Sequence, residues 1–225
     1  MLETFPSAAA LADAAAVHAV AGLAGGLAAR GRASLVATGG RAPGPVYDRL
    51  AQSTLDWSRI TVTLSDERCV AADAPESNEG LVRARLLLGP AAQAAFIPLF
   101  GAGDPEPRLR SELPFDVVML GMGEDGHVAS LLPGMPGLAA AMDPEGAALV
   151  QAVPAGWGSP PLARITLTLA ALLAARTILI LIAGDAKRRA VEAALAGADL
   201  PVRALLVQGR APVRVLWAPT HDDGR

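Results

Sequence analysis

Apolar and polar positions follow two rhythms along the chain. From Ala8 to Ala29 apolar residues recur at helical spacing, with Ala16, Val20, Leu23 and Leu27 on one face and His18 opposite as a solvated helix histidine; Gly31 stops the run. Ala33 to Ala37 then reads as a short buried strand entering the loop TGGRAPGP, with a second helix expected from Val46 to Gln52. Ile60, Val62 and Leu64 alternate with Thr61 and Thr63, the period of a strand, which delivers Ser65, Asp66, Glu67 and Arg68 at its carboxyl end. Ser77 or Asn78 caps the helix that carries Leu81, Leu87 and Leu88.

The next strands are expected at Ala95 to Leu99 and Phe115 to Leu120, separated by the link GAGDPEP. Later strands are placed near Ala148 to Val153, Thr177 to Ala183 and Val213 to Trp217, with a helix from Asp185 to Ala196. The stretch Ile165 to Gly184 is apolar over nearly the ~20 residues of a membrane span. It contains Arg176 and three threonines, and reads instead as a short helical turn leading into a buried strand. No repeat or composition break divides the chain. The expectation is one domain, residues 1–225, of the α/β class: a doubly wound, Rossmann-like, mostly parallel sheet flanked by helices. Ligands of such sheets lie beyond the carboxyl ends of the strands, where the strand order reverses. TGGR, SDER and GMGEDGH should converge there.

Composition sharpens this picture. Hydrophobic residues make up 52% of the chain and aromatic ones 4%, so the core is built from Ala, Leu, Val and Ile. A net charge of −3 gives no general attraction for nucleic acid or an anionic membrane, so any phosphate site must be local. Cys69 is the only cysteine, which excludes an intramolecular disulfide and a cysteine-based zinc cluster. Glu3 and Asp13 precede the first basic residue, Arg30, the wrong charge order for a secretory signal; a cytoplasmic protein is expected. His221 beside Asp222 and Asp223 reads as a polar tail, and no spacing calls for a metal or cofactor.

Gly121, Gly123 and Gly126 spell GxGxxG after a strand, but Pro133 and Gly134 follow too soon for the long helix that a dinucleotide site needs. The better reading is a tight turn holding Asp125 and His127 at the mouth of the sheet. An imidazole exchanges protons near neutrality, and Asp125, Glu124 and Asp66 are each available to orient it; a histidine that only closes the turn is the bland alternative. Ser130 lacks the GxSxG elbow of a serine nucleophile and reads as a turn hydroxyl.

SDERCV followed by Ser77 and Asn78, then FDVVMLGMGEDGHVASLLPG, RITLTLAALLAA and IAGDAKRRAVEAAL, resemble the 6-phosphogluconolactonases in order and over nearly the whole chain, Leu35 to Trp217. The resemblance implies hydrolysis of a 6-phosphogluconolactone by water, with His127, Asp125 and Asp66 as catalytic candidates. It implies a phosphate site among Gly39, Gly40, Arg41, Arg68, Arg164 and Lys187. Amides of the Gly39–Gly40 loop or of the Gly121 to Gly126 turn could stabilise developing negative charge. The related glucosamine-6-phosphate deaminases place a glutamate before the proline that follows the DGH turn; here that residue is Leu132, which cannot move a proton. Sugar-phosphate-responsive regulators carry a similar domain without turnover, but alongside a DNA-reading domain for which no basic patch is present. One loop departs from the family: GGSTP is replaced by Gly39, Gly40, Arg41, Ala42 and Pro43, so Arg41 either substitutes charge for two hydroxyls or faces solvent.

Overall fold

The computed structural model describes residues 2–220; His221, Asp222 and Asp223 lie outside the described residues. The chain runs β1 (Leu2–Thr4), α1 (Ala8–Arg30), β2 (Ala33–Ala37), α2 (Gly44–Ala51), β3 (Ile60–Leu64), β4 (Asp66–Arg68), α3 (Asn78–Arg85), β5 (Ala95–Phe96) and α4 (Glu106–Ser111). It continues through β6 (Val117–Gly121), α5 (Leu138–Ala141), β7 (Val150–Val153), β8 (Arg164–Leu167), α6 (Leu169–Leu173), β9 (Ile178–Ala183), α7 (Asp185–Leu195), α8 (Pro201–Leu206) and β10 (Val213–Ala218).

Seven strands form one sheet in the order β1-β10-β9-β6-β2-β3-β5, and all its pairings are parallel. Its central strands are buried on both faces, which is why β9 reads as an unbroken apolar run and β2 as one broken only by Ser34. Helix α1 starts at Ser7, whose hydroxyl accepts from the Ala10 amide at 3.2 Å, and ends at Gly31 in the left-handed region. It lies close against β6, because a Cβ at Gly22 would stand 2.6 Å from Val117 Cγ2. Helix α1 is also long and apolar enough to cross a membrane; here Leu11, Ala15, Ala19 and Leu23 are buried in the core instead.

From β2 the chain steps outward through β3 to β5, then returns to β6 on the other side of β2. The strand order therefore reverses between β2 and β6, whose carboxyl ends carry the Gly39–Gly40 loop and the Gly121 to Ser130 turn.

The structure corrects several expectations. The stretch Ile165 to Gly184 does hold a short helix, α6, leading into the buried strand β9, but Arg164–Leu167 ahead of it is a further strand, and β8 pairs antiparallel with both β4 and β7. A second, three-stranded sheet thus stands beside the parallel one. Strand β5 has two residues, α4 begins within the GAGDPEP link, and β1 and α8 are elements beyond those expected. Leu87 and Leu88 fall beyond α3, whose buried residues are Asn78 and Val82. His18 is half-buried, with Nε2 3.7 Å from the Glu3 carboxylate.

Candidate active site

A cavity of about 310 Å³ opens at the strand-order reversal. Gly39, Gly40, Arg41, Asp66, Arg68, His127, Arg164 and Lys187 all line it, as do Thr38, Asn78, Ala129 and Ser159. Four cations and one carboxylate thus surround it in a chain whose net charge is −3. The sequence therefore builds its positive field locally.

His127 sits on the turn after β6. Its Nδ1 lies 2.6 Å from Asp125 Oδ1, and the Gly123 amide donates to the His127 carbonyl at 2.9 Å. Gly123 is required by this geometry: a Cβ there would stand 2.3 Å from the imidazole and 2.5 Å from Asp125 Oδ1. Of the three carboxylates available from sequence, Asp125 holds the ring, from outside the cavity lining. Glu124 belongs to the adjoining outer hollow that also contains Asp125 and Trp157.

Asp66 is engaged elsewhere. Its Oδ2 accepts the Ser130 hydroxyl at 2.6 Å and lies 3.8 Å from Arg164 Nη1, while Oδ1 is 3.1 Å from the Ser65 hydroxyl. Ser130 is fully buried in this role, its amide donating to Thr166 Oγ1 at 3.0 Å. The residue before it, Ala129, has φ 50°, a left-handed conformation for which a side chain costs about 1–3 kcal/mol.

Arg68 and Arg164 are direct cross-strand partners in the β4–β8 pair, so two like charges share one face. Burial holds Arg164 below its ordinary pKa; Asp66 opposes this and Arg68 adds to it. Arg164 donates Nη2 to the Pro160 carbonyl at 2.8 Å and Nη1 to Ser130 Oγ at 3.3 Å. The buried Nε of each arginine has no acceptor among the described residues. Both arginines line the same cavity, and guanidinium donors left without acceptors beside it fit an oxyanion.

Lys187 is the only lysine in the sequence. It lies in the first turn of α7, where burial lowers its pKa, Glu124 partly restores it and Arg41 depresses it further. Arg41 is exposed at the rim and makes no hydrogen bond or ion pair among the described residues. The loop it belongs to is anchored from below by buried Tyr47, whose hydroxyl donates to the Thr38 carbonyl at 2.6 Å and accepts from the Thr38 amide at 2.7 Å. Burial pushes the Tyr47 phenol above its usual range, so it stays a donor. The amides of Gly123 and Gly126 are spent inside their own turn, whereas those of Gly39 and Gly40 donate to no group among the described residues.

Sequence reasoning missed Thr38, Tyr47 and Asn78 as parts of this site. Ser77 supplies the α3 cap, accepting from the Gly80 amide at 3.0 Å. The Glu67 carboxylate completes that cap by accepting from the Asn78 amide at 2.8 Å and the Glu79 amide at 2.6 Å. Asn78 is thereby left free to turn its side chain toward the cavity, a role that capping preference alone does not reveal.

Comparison with known proteins agrees with this architecture. The family model for glucosamine-6-phosphate isomerases/6-phosphogluconolactonase matches residues 6–217. A 6-phosphogluconolactonase of Caulobacter vibrioides is 47% identical, covering 96% of this chain and 97% of its own. One of Pseudomonas aeruginosa is 43% identical, with 97% and 94% covered. The crystal structure of a 6-phosphogluconolactonase from Shewanella baltica superposes with a TM-score of 0.89 at 36% identity, covering 97% of both chains. By sequence match and by fold, the chain belongs to the glucosamine-6-phosphate isomerase/6-phosphogluconolactonase family.

Proposed function

We propose that this chain is a cytoplasmic, single-domain hydrolase that converts 6-phospho-D-glucono-1,5-lactone to 6-phospho-D-gluconate in the oxidative pentose phosphate pathway. The observation that carries the reading is an imidazole oriented by a carboxylate, His127 Nδ1 to Asp125 Oδ1 at 2.6 Å, in a cavity lined by four cations. With Nδ1–H directed at Asp125, Nε2 is the base. It takes a proton from water as the water oxygen attacks C1, and the carbonyl becomes an oxyanion. On collapse, the C1–O5 bond breaks and His127 returns the proton to O5, leaving the open-chain acid. The Gly39 and Gly40 amides are the available donors for the oxyanion or for the phosphate.

Arg68, Arg164, Lys187 and Arg41 hold the phosphate, the arginines by their forked edges and the lysine as a point charge. Asp66 acts through Ser130 and Arg164. Buried Leu132 favours hydrolysis over the deaminase chemistry, since it offers no proton at the position before Pro133. The test is direct: generate the lactone in situ from glucose 6-phosphate and follow its disappearance. Acceleration over the spontaneous rate, unchanged by a chelator, is expected; hydrolysis at the spontaneous rate sinks the proposal.

A further inference from the structure

Asn78 is buried and lines the cavity, yet the mechanism above does not use it. Its amide joins three elements. Nδ2 donates to the Asp66 backbone carbonyl at 2.8 Å, and Oδ1 accepts from Arg68 Nη1 at 2.7 Å. The same side chain presses on the loop after β2, where a Cβ at Gly39 would stand 1.9 Å from Asn78 Oδ1. Arg68 Nη1 also donates to the Glu76 carbonyl at 2.5 Å, so the protein occupies one end of the guanidinium. The opposite edge, Nε and Nη2, has no acceptor among the described residues, and Nε is buried. That edge is the one from which arginine grips an oxyanion side-on with two parallel hydrogen bonds.

We propose that Asn78 is the positioning residue that turns the Nε/Nη2 edge of Arg68 into the cavity, and that Gly39 lacks a side chain in order to admit it. The inference rests on the reading of Arg68 as a ligand of the anionic substrate. The arginine has several rotatable bonds, and without Asn78 only the Glu76 carbonyl holds its far end; the orientation entropy is then lost on binding. Because the anion is gripped alike in the ground and transition states, the defect falls on KM and not on kcat.

The experiment titrates inorganic phosphate calorimetrically into the whole chain and into Asn78→Ala, Arg68→Ala and the double variant, with lactone kinetics alongside. Asn78→Ala is expected to weaken phosphate and raise KM about tenfold, the effect of one hydrogen bond to a charged group, with kcat held. In the Arg68→Ala background it should add nothing, because the group it positions is gone. Gly39→Ala, which keeps every hydrogen-bonding atom but drives the Asn78 amide aside, should show the same dependence on Arg68, and it decides the matter where Asn78→Ala does not fold. A loss of melting temperature with phosphate affinity and KM unchanged, or equal losses with and without Arg68, overturns the proposal. Failure of the wild-type protein to hydrolyse the lactone would refute the enzymatic reading alone, since the phosphate titration still reports on Asn78.

Discussion

The two sheets meet at one cavity and bring different things to it. The parallel sheet is apolar and buried, and what it contributes is position: the β2 loop and the His127 turn stand side by side because their strands are paired, Leu35 with Val117 and Val36 with Val118. The three-stranded sheet contributes two of the four cations. It sets Arg68 directly opposite Arg164, an arrangement that sheets ordinarily avoid, and leaves a buried donor of each unpartnered. On the proposed function, the His127 turn belongs to the element with most to gain from packing, while the small sheet supplies two like charges face to face, whose unpartnered donors a bound anion would satisfy.

This division predicts separable losses. The largest belongs to the parallel sheet: His127→Ala should lower kcat by about 10²- to 10⁴-fold, the usual contribution of a general base, with phosphate affinity unchanged. Stopped assays with lactone, paired with circular dichroism of the variant, measure it. Turnover at the wild-type rate would remove His127 from the mechanism and end the division of labour with it.

The next loss belongs to the small sheet. Phosphate at 100 times its Kd should stabilise the wild-type fold by about 2.7 kcal/mol. Arg164→Ala and Arg68→Ala should forfeit most of this protection, and His127→Ala should keep it. Scanning calorimetry with and without phosphate makes the comparison. Equal protection of all three variants would place the anion elsewhere.

The two sheets were also unequally legible. Strands β2, β3, β6, β9 and β10 stand out as apolar or alternating runs between turn residues, and they place the turn that presents His127, whereas the strand order that sets it beside the β2 loop is known only from the fold. Strand β4 does not, because Asp66, Glu67 and Arg68 supply charge where apolar residues are expected, and β8 alternates as β3 does but lies inside an apolar stretch that runs on into α6 and β9. Their pairing is decided by long-range contact, so the sequence groups Arg68 and Arg164 in one phosphate site through the family resemblance but does not show that they stand directly opposite each other. Sequence offers Asp66 as one possible orienter of His127; the structure keeps it in the cavity wall but gives its carboxylate to Ser130, Ser65 and Asn78. Asn78 is legible as a residue of the α3 start but not as part of the cavity, since that place depends on the close approach of Gly39.

Charge strain is not confined to the small sheet, and Lys187 offers a way to measure it, because it is the one cation of the four that titrates within reach of experiment. Burial, reinforced by Arg41, lowers its folded pKa below the ordinary value of 10.5, with Glu124 opposing. Between that lowered value and 10.5 the unfolded chain binds the extra proton, so stability should rise with pH across the window. Below the window the folded state carries the full penalty of the buried ammonium, and above it none. Lys187→Met should therefore be slightly more stable than wild type at neutral pH, lose the rise on the alkaline side, and bind phosphate more weakly. Urea unfolding at a series of pH values, wild type against variant, reads the difference directly, since no other lysine contributes to it. Parallel pH profiles for the two proteins would mean that the Lys187 ammonium is not strained, and that the uncompensated charge of the cavity lies in the small sheet alone.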